Sequence, residues 1–441
     1  RVGKFVPFTD NGTIDNSCLF NGTTNNFLSR TASSNGSGTT LTFSCWVKRG
    51  LLGLRDIVYN GNITSNSEHL HFDANNKLNY YEAGGGARKW NYVTTRTFED
   101  TSKWYHIYVR RDTTDSTAAD RIQIYVDGER ITAYDTETQP ALNATGYWNQ
   151  TTYGFYIGTT GSASYIRGIG YLAEVNMVDG SNPDISTFGV TDTSTGRWVP
   201  KTLSGITYGT NGFRLKFQDS SALGDDTSGN ENDLSATNLD STNQTTDSPT
   251  QNHTTLNPLK NSNITLSEGN LKSATVSGAQ GYVSGSQIPL TSGKYYSEIT
   301  ITTAGSTLFF LGVGNFNDYL DHYTEENPIA KIAGGYIRSD TGQAYTSHND
   351  VGTYHTYGNS FTTNDVIGIA IDVDKGAMWI SKNGTWQNSA TASEIADGDT
   401  SNSLRTGMKG PLIILNYTHS GTTVDYNFGQ RSFSHTAPTG Y

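Results

Sequence analysis

Cysteine is nearly absent: Cys18 and Cys45 are the only two in 441 residues, which excludes a disulfide-stapled scaffold. They fall in neighbouring expected strands, SCLFNG and LTFSCWVKR. A bridge and a pair of buried free thiols both stay open, and free thiols are preferred because spacing does not show pairing. Proline is scarce, at 10 residues, and charged residues make up 16%. Lys and Arg total 30 against 41 Asp and Glu, a net charge of −11. With no basic stripe to neutralise phosphates, nucleic acid is excluded as a partner. No apolar run approaches the roughly 20 residues that span a bilayer, and no charged-then-apolar leader is visible, so no membrane insertion is expected. The chain starts at Arg1 and not at Met, so an N-terminal piece is expected to have been removed or left out.

What is present is a β-sheet alphabet. The 48 Gly, 26 Tyr and 7 Trp stand in a background of Thr, Ser and Asn, with few of the Ala, Leu, Glu and Lys that build helices. The length suffices for two or three domains, each burying about 70% of the surface that its unfolded chain exposes. In LTFSCWVKR, Leu41, Phe43, Cys45 and Val47 alternate with Thr42, Ser44, Trp46 and Lys48, the period of a half-buried strand. RIQIYVDGERI puts Ile122, Ile124 and Val126 on one face and closes on Asp127-Gly128, a type I′ hairpin turn that needs positive φ twice. In the second half, Ile367, Ile369, Ile371 and Val373 share a face, with turns at Lys375-Gly376 and Asn383-Gly384.

The expected fold class is therefore all-β, as two antiparallel β-sandwich (jelly-roll) domains. Residues 1–14 read as an N-terminal arm, 15–235 as the first sandwich, 236–262 as a polar connector and 263–441 as the second sandwich. The first sandwich includes a returning strand with Phe213, Leu215 and Phe217 on its inner face.

FNG followed by FLSR, TFSCWVKRG, WYHIYVRRD, RIQIYVDGERI, YIG and GYLAEVNMVDG occur in this order over residues 17–180. This part of the chain resembles laminin-G-like, concanavalin A-like jelly rolls. KYYSE, LGVG, GY, YG, DVIGIAID and KNGT follow over residues 270–430, and this part resembles a SPRY domain. The stretch between them contains W-x-P-K (Trp198 to Lys201), Y-G-T-N-G-F (Tyr208 to Phe213) and D-x-S-G-N-x-N-D (Asp226 to Asp233). With the terminal VDYNFGQRSFSHTAPTGY, it is similar to a group of bacteriophage virion fibre and appendage proteins, often marine. Such chains commonly read on past Pro-Thr-Gly-aromatic, so a further C-terminal part is expected to be cleaved, disordered or absent.

The search for catalytic patterns is negative. A jelly-roll glycosidase needs two carboxylates flanking the bond, commonly on alternate residues of one strand. The nearest approach, Glu231-Asn232-Asp233, has Ala236 in the third place and lies in an expected turn. No nucleophile elbow, His-Glu-x-x-His or P-loop occurs. GIGYLA, Gly168 to Ala173, runs into a strand and not a helix, so it cannot cradle a pyrophosphate. His69 and His71 share a strand face, and Asp318, Asp321 and His322 are spaced for one helical turn; a satisfied histidine pair and a solvated loop are the preferred readings. Asp226, Asn230 and Asp233 are the candidate metal ligands should the joint hold Ca²⁺, although Asx turns form from the same residues without an ion. No other cofactor is expected.

Loop aromatics beside amides and hydroxyls are the remaining signal, because sugars stack on rings while Asn, Asp and Thr meet their hydroxyls. The candidate ligand-binding residues are Trp90, Tyr92, Tyr147 and Trp148 in the first half and Tyr345, His348, Tyr354, His355 and Tyr357 in the second. The competing reading is that such rings cap the sandwich ends. The resemblance implies a non-enzymatic virion protein, a tail-fibre or appendage adhesin on the exposed particle surface. Its implied partners are other virion proteins and a host cell-surface glycan or protein, and its implied state is a homo-oligomer, with a trimer as the expected number. The alternatives are a capsid-decorating or structural fibre protein without a receptor, and a glycan depolymerase.

Overall fold

The computed structural model describes residues 12–22, 25–62, 66–159, 168–261, 263–276, 282–305, 308–325, 327–348, 351–419 and 421–441, with the side chains of Asn62, Tyr282 and His348 outside the description. The described residues divide into two compact units, 12–252 and 253–441. Each is an antiparallel β-sandwich, as the period-two patterns require.

In the first domain, Thr40–Arg49 is the middle of a sheet that runs Glu129–Arg130, Ile122–Val126, Tyr105–Asp112, Thr40–Arg49, Gly170–Asp179, Ser17–Phe20, Gln244–Thr245. The facing sheet runs Tyr134–Thr138, Ala87–Thr97, Lys77–Gly84, Asn66–Phe72, Arg55–Asn62, Phe155–Ile157, Phe27–Arg30, Ser235–Thr237. Leu41, Phe43, Cys45 and Val47 point into the core between them. Phe213–Leu215 pairs with Gly170–Asp179, and Phe213, Leu215 and Phe217 join the same core, as expected. Asp127 and Gly128 both take positive φ, 53° and 83°, in the hairpin that the sequence predicts.

Two expectations are corrected. First, Thr40–Arg49 is buried on both faces: Thr42, Ser44, Trp46 and Lys48 are as inaccessible as their core-facing neighbours. The chain's own continuation covers the outer face. Tyr108, Val178, Phe188 and Tyr208 form a small second core there, with Ile185, Leu203 and Ile206 packed on it. Trp198 lies over His106, donating its indole N–H to Nδ1 at 3.0 Å. A Cβ on Gly189 would overlap the Trp198 ring, so only glycine fits beneath it. Second, residues 236–252 are not a connector. Ser235–Thr237 and Gln244–Thr245 are strands of the first domain. Asp247 binds the buried Lys48 ammonium at 2.7 Å and accepts the Trp104 indole N–H at 3.0 Å. Lys48 also donates to Asn252 at 2.8 Å. The compact units therefore meet in sequence at residues 252 and 253.

The second domain pairs two sheets. One runs Ile264–Ser267, Lys272–Thr275, Thr423–Asn427, Lys294–Thr303, Val366–Asp372, Ala377–Lys382, Thr385–Trp386; the other runs Tyr282–Gly285, Leu412–Thr418, Phe310–Asn315, Gly334–Arg338, Ala344–His348, Val351–His355. Asn383 and Gly384, with φ of 49° and 77°, turn the predicted hairpin. On the outer side of the second of these sheets lie two short helices, Phe316–His322 and Pro328–Lys331. Asn315 caps the first by accepting the N–H groups of Asn317 and Asp318. The helices cover only part of this face.

Candidate ligand-binding site

The site grows from the meander GYIR, AYTSH, VGTYH. Its register sets Tyr336 opposite Tyr345, and Tyr345 opposite Tyr354. Residues directly opposite across antiparallel strands share a face, so three tyrosines stand in a row across three strands. Their ring centroids are 6.3 Å and 4.9 Å apart. A Cβ on Gly352 would overlap the Tyr345 hydroxyl, so the glycine makes room for the middle ring. On the other side, Phe310 lies opposite Tyr417, with ring centroids 5.8 Å from Tyr345 and 6.0 Å from Tyr417.

The innermost ring, Tyr336, is sealed and donates to the Ile332 carbonyl at 2.9 Å. The outermost, Tyr354, is 46% exposed. Between them opens a cleft of about 390 Å³ lined by Leu308, Phe310, Asn327, Ile329, Tyr345, Tyr354, Tyr417 and His419. Polar groups stand at its rim. Arg338 lies 5.5 Å from the Tyr354 ring centroid and is held there by a two-pronged contact with Asp340, at 2.6 and 2.8 Å. Burial, and then the neighbouring Tyr354, raises the Tyr345 phenol above its ordinary range. Burial lowers the His419 imidazole. Both groups are thus neutral at pH 7, and the cleft offers ring faces beside these uncharged groups, with the Arg338–Asp340 pair at its rim. That combination fits a polyhydroxylated, apolar-faced ligand.

Of the residues singled out in the sequence, Tyr345 and Tyr354 line this cleft. His348 ends the strand Ala344–His348, and its side chain lies outside the described residues. His355 is exposed, with Nε2 3.3 Å from Thr346 Oγ1. Tyr357 is buried, its hydroxyl accepting the Ile380 N–H, and it does not line the cleft.

In the first domain, Trp90, Tyr92 and Trp148 belong to the hydrophobic core and are not loop platforms. Trp90 and Tyr92 stand on the strand Ala87–Thr97; for Trp148 the reason lies beneath it. Glu68 and Arg111 form an ion pair with both side chains fully buried, and one Glu68 oxygen accepts the N–H groups of Tyr147 and Trp148 at 2.7 and 2.9 Å. This draws the 145–150 loop down onto the sandwich end and inserts the Trp148 ring against Phe43 and Tyr80. Tyr147 alone of this set stays half-buried, beside Lys89 and Tyr153. Glu82, across from Glu68, pairs with Lys89 at 2.9 Å; its pKa is raised by burial.

At the joint, Asp226 accepts the N–H groups of Arg214, Ser228 and Asn232 and the Ser228 hydroxyl. Asp233 accepts the Asp226 N–H. Asn230 donates to the carbonyls of Gly209 and Gly212, and Asn232 to those of Thr210 and Gly212. The motif folds as an Asx-type turn that clasps the Y-G-T-N-G-F backbone. Among the described residues, no group of three or more His, Cys, Asp and Glu is placed to hold a metal ion. His69 pairs with Asp56 at 2.8 Å and stacks on His71; Asp318 accepts the Ala333 N–H. Cys18 and Cys45 are buried free thiols.

Sequence reasoning missed Phe310, Tyr417, His419, Leu308, Asn327 and Ile329. Tyr417 and His419 alternate at the end of LIILNYTH, which marks one face of one strand, but their neighbours come from elements far away in sequence.

Both domains are antiparallel β-sandwiches of binding-type folds. Residues 21–181 match the concanavalin A-like lectin/glucanases superfamily, of laminin G type, and residues 294–431 match the SPRY domain family. The chain thus carries a concanavalin A-like jelly roll followed by a SPRY domain. Among solved structures, the chain is similar to the SPRY domain of human HERC1, at 16% identity over 40% of this chain and 99% of that one, with a TM-score of 0.32. It is also similar to a heptameric SAP-like pentraxin from Limulus polyphemus, at 14% identity over 44% of this chain and 89% of that one, with a TM-score of 0.31. No curated protein matches the chain.

Proposed function

We propose that this protein is a non-enzymatic adhesin of a bacteriophage particle, a tail-fibre or appendage subunit that attaches to a host-surface glycan through the cleft of its second domain. The observation that carries this reading is the tyrosine row ending in the half-exposed Tyr354 above a cleft of about 390 Å³. A sugar ring stacks on such faces, and Asn327, His419 and the phenols meet its hydroxyls. Particle location and homo-oligomeric assembly, with a trimer as the expected number, rest on the resemblance of the joint and the C-terminal segment to phage appendage proteins.

The full chain, labelled and applied to arrayed bacterial surface polysaccharides and to host cells, is expected to bind, and at saturation to reduce infection. Tyr354→Ala should weaken binding about tenfold, equivalent to ~1.4 kcal/mol, with unchanged thermal unfolding. Absence of binding and of competition would favour a capsid-decorating or purely structural fibre. Release of oligosaccharide by the pure protein would instead assign a depolymerase.

A further inference from the structure

A second cavity lies at the other end of the strand Phe310–Asn315, of about 440 Å³ and lined by Asn315, Asp318, Ala333, Gly334, Arg405 and residues 407–409. Its wall is fixed in place. Leu404 donates to the Met378 carbonyl at 2.8 Å, Met378 to that of Arg405 at 3.1 Å, and Met408 to that of Gly376 at 3.0 Å. Asn315 Nδ2 holds the Lys409 carbonyl at 2.9 Å. The Arg405 side chain packs over Gly335, where a Cβ would crowd it at 2.8 Å.

Arg405 is half-buried, and its Nε is shielded from solvent without an acceptor among the described residues. No salt bridge joins Arg405 to a carboxylate among the described residues, so its guanidinium stands as a cation on the cavity wall. Lys409, exposed on the same rim, adds a second positive charge. The cavity also contains a carboxylate: Asp318 spends Oδ2 on the Ala333 N–H at 3.0 Å. A bare anion would be repelled by it, whereas a ligand bearing an oxyanion at one end and hydroxyls at the other meets both charges.

We infer that this cavity binds a hydroxylated carboxylate of the sugar-acid class, its carboxylate on Arg405 and Lys409 and its hydroxyls donating to Asp318. A guanidinium takes a carboxylate in a two-pronged geometry that a point charge cannot reproduce.

Calorimetric titration of the full chain at fixed ionic strength tests this, with glucuronate, glucose and inorganic sulfate as probes. Glucuronate should bind at least tenfold more tightly than either of the others. Arg405→Gln should lose at least tenfold in glucuronate affinity and Lys409→Gln a few-fold, with Lys409→Gln keeping the test valid should Arg405→Gln unfold. Asp318→Asn should narrow the preference for glucuronate over sulfate. Equal binding of glucuronate and glucose, wild-type affinity in both cation variants, or an unchanged glucuronate-to-sulfate ratio in Asp318→Asn would each overturn the assignment.

Discussion

The two sandwiches treat the outer face of a sheet in opposite ways. In the first domain the chain returns over Thr40–Arg49 and closes it with Trp198 on His106 and Asp247 on Lys48. In the second, two short helices cover part of the sheet and leave Tyr345 and Tyr354 beside open space. The same residue types therefore do different work. Trp46 and Lys48 on the first domain's sheet are structural material, whereas Tyr354 on the second domain's sheet is available surface. An aromatic in a β-rich sequence becomes a candidate site only after the fate of its face is known.

The sharpest way to break this comparison is to reopen the first domain. Asp247→Ala leaves Lys48 buried without its carboxylate and should cost about 3–5 kcal/mol, whereas the double variant Lys48→Met/Asp247→Leu should recover most of that loss. The urea midpoint followed by tryptophan fluorescence reads it, since Trp46, Trp90, Trp104, Trp148 and Trp198 all lie in this domain. A null effect of Asp247→Ala would mean that the cover is not structural.

A smaller effect is expected from pH. Burial lowers the His106 imidazole from 6.5 to about 3. Its Nδ1 accepts the Trp198 N–H, so Nε2 carries the proton and faces Ser44 Oγ at 2.9 Å. The unfolded chain takes up a proton here that the folded one refuses. The stabilising contribution is thus complete above about pH 6.5 and is lost as pH falls toward 3. Between pH 7 and 4.5, wild type should lose about 2–3 kcal/mol more than His106→Gln; parallel pH profiles would remove His106 from the account. The smallest stability effect belongs to the open face. Tyr354→Ala should change stability by no more than about 0.5 kcal/mol while weakening glycan binding, and a loss comparable to that of Asp247→Ala would erase the contrast between the domains.

Most of the fold was legible because period two and turn chemistry are local. Leu41 to Val47 marked a core face, and Asp127-Gly128 and Asn383-Gly384 marked hairpins. The second covering layer was not legible. Lys48 finds Asp247, and His106 finds Trp198, across 199 and 92 residues of chain, and nothing local to either residue announces the partner. The same blindness misassigned residues 236–252, whose Thr, Asn and Ser read as solvated but form edge strands and the Lys48 clasp. For the site, Tyr345 and Tyr354 were visible as aromatics among polar residues. Trp90, Tyr92 and Trp148 gave the same signal and lie in the core: Trp90 and Tyr92 because they stand on the inner face of the strand Ala87–Thr97, and Trp148 because the buried Glu68 that draws its loop inward sits 80 residues earlier.

The clasp at the joint has a consequence for the conditions in which the protein keeps its shape. Asn230 and Asn232 hold four backbone carbonyl contacts through uncharged amides, and Arg30 adds its own bonds to the Asn211 carbonyl and to Asn232. Amide-to-carbonyl bonds carry no net charge for mobile ions to screen. These amide contacts of the joint should therefore persist in concentrated brine, which screens the neighbouring Arg214–Glu174 ion pair of the same segment.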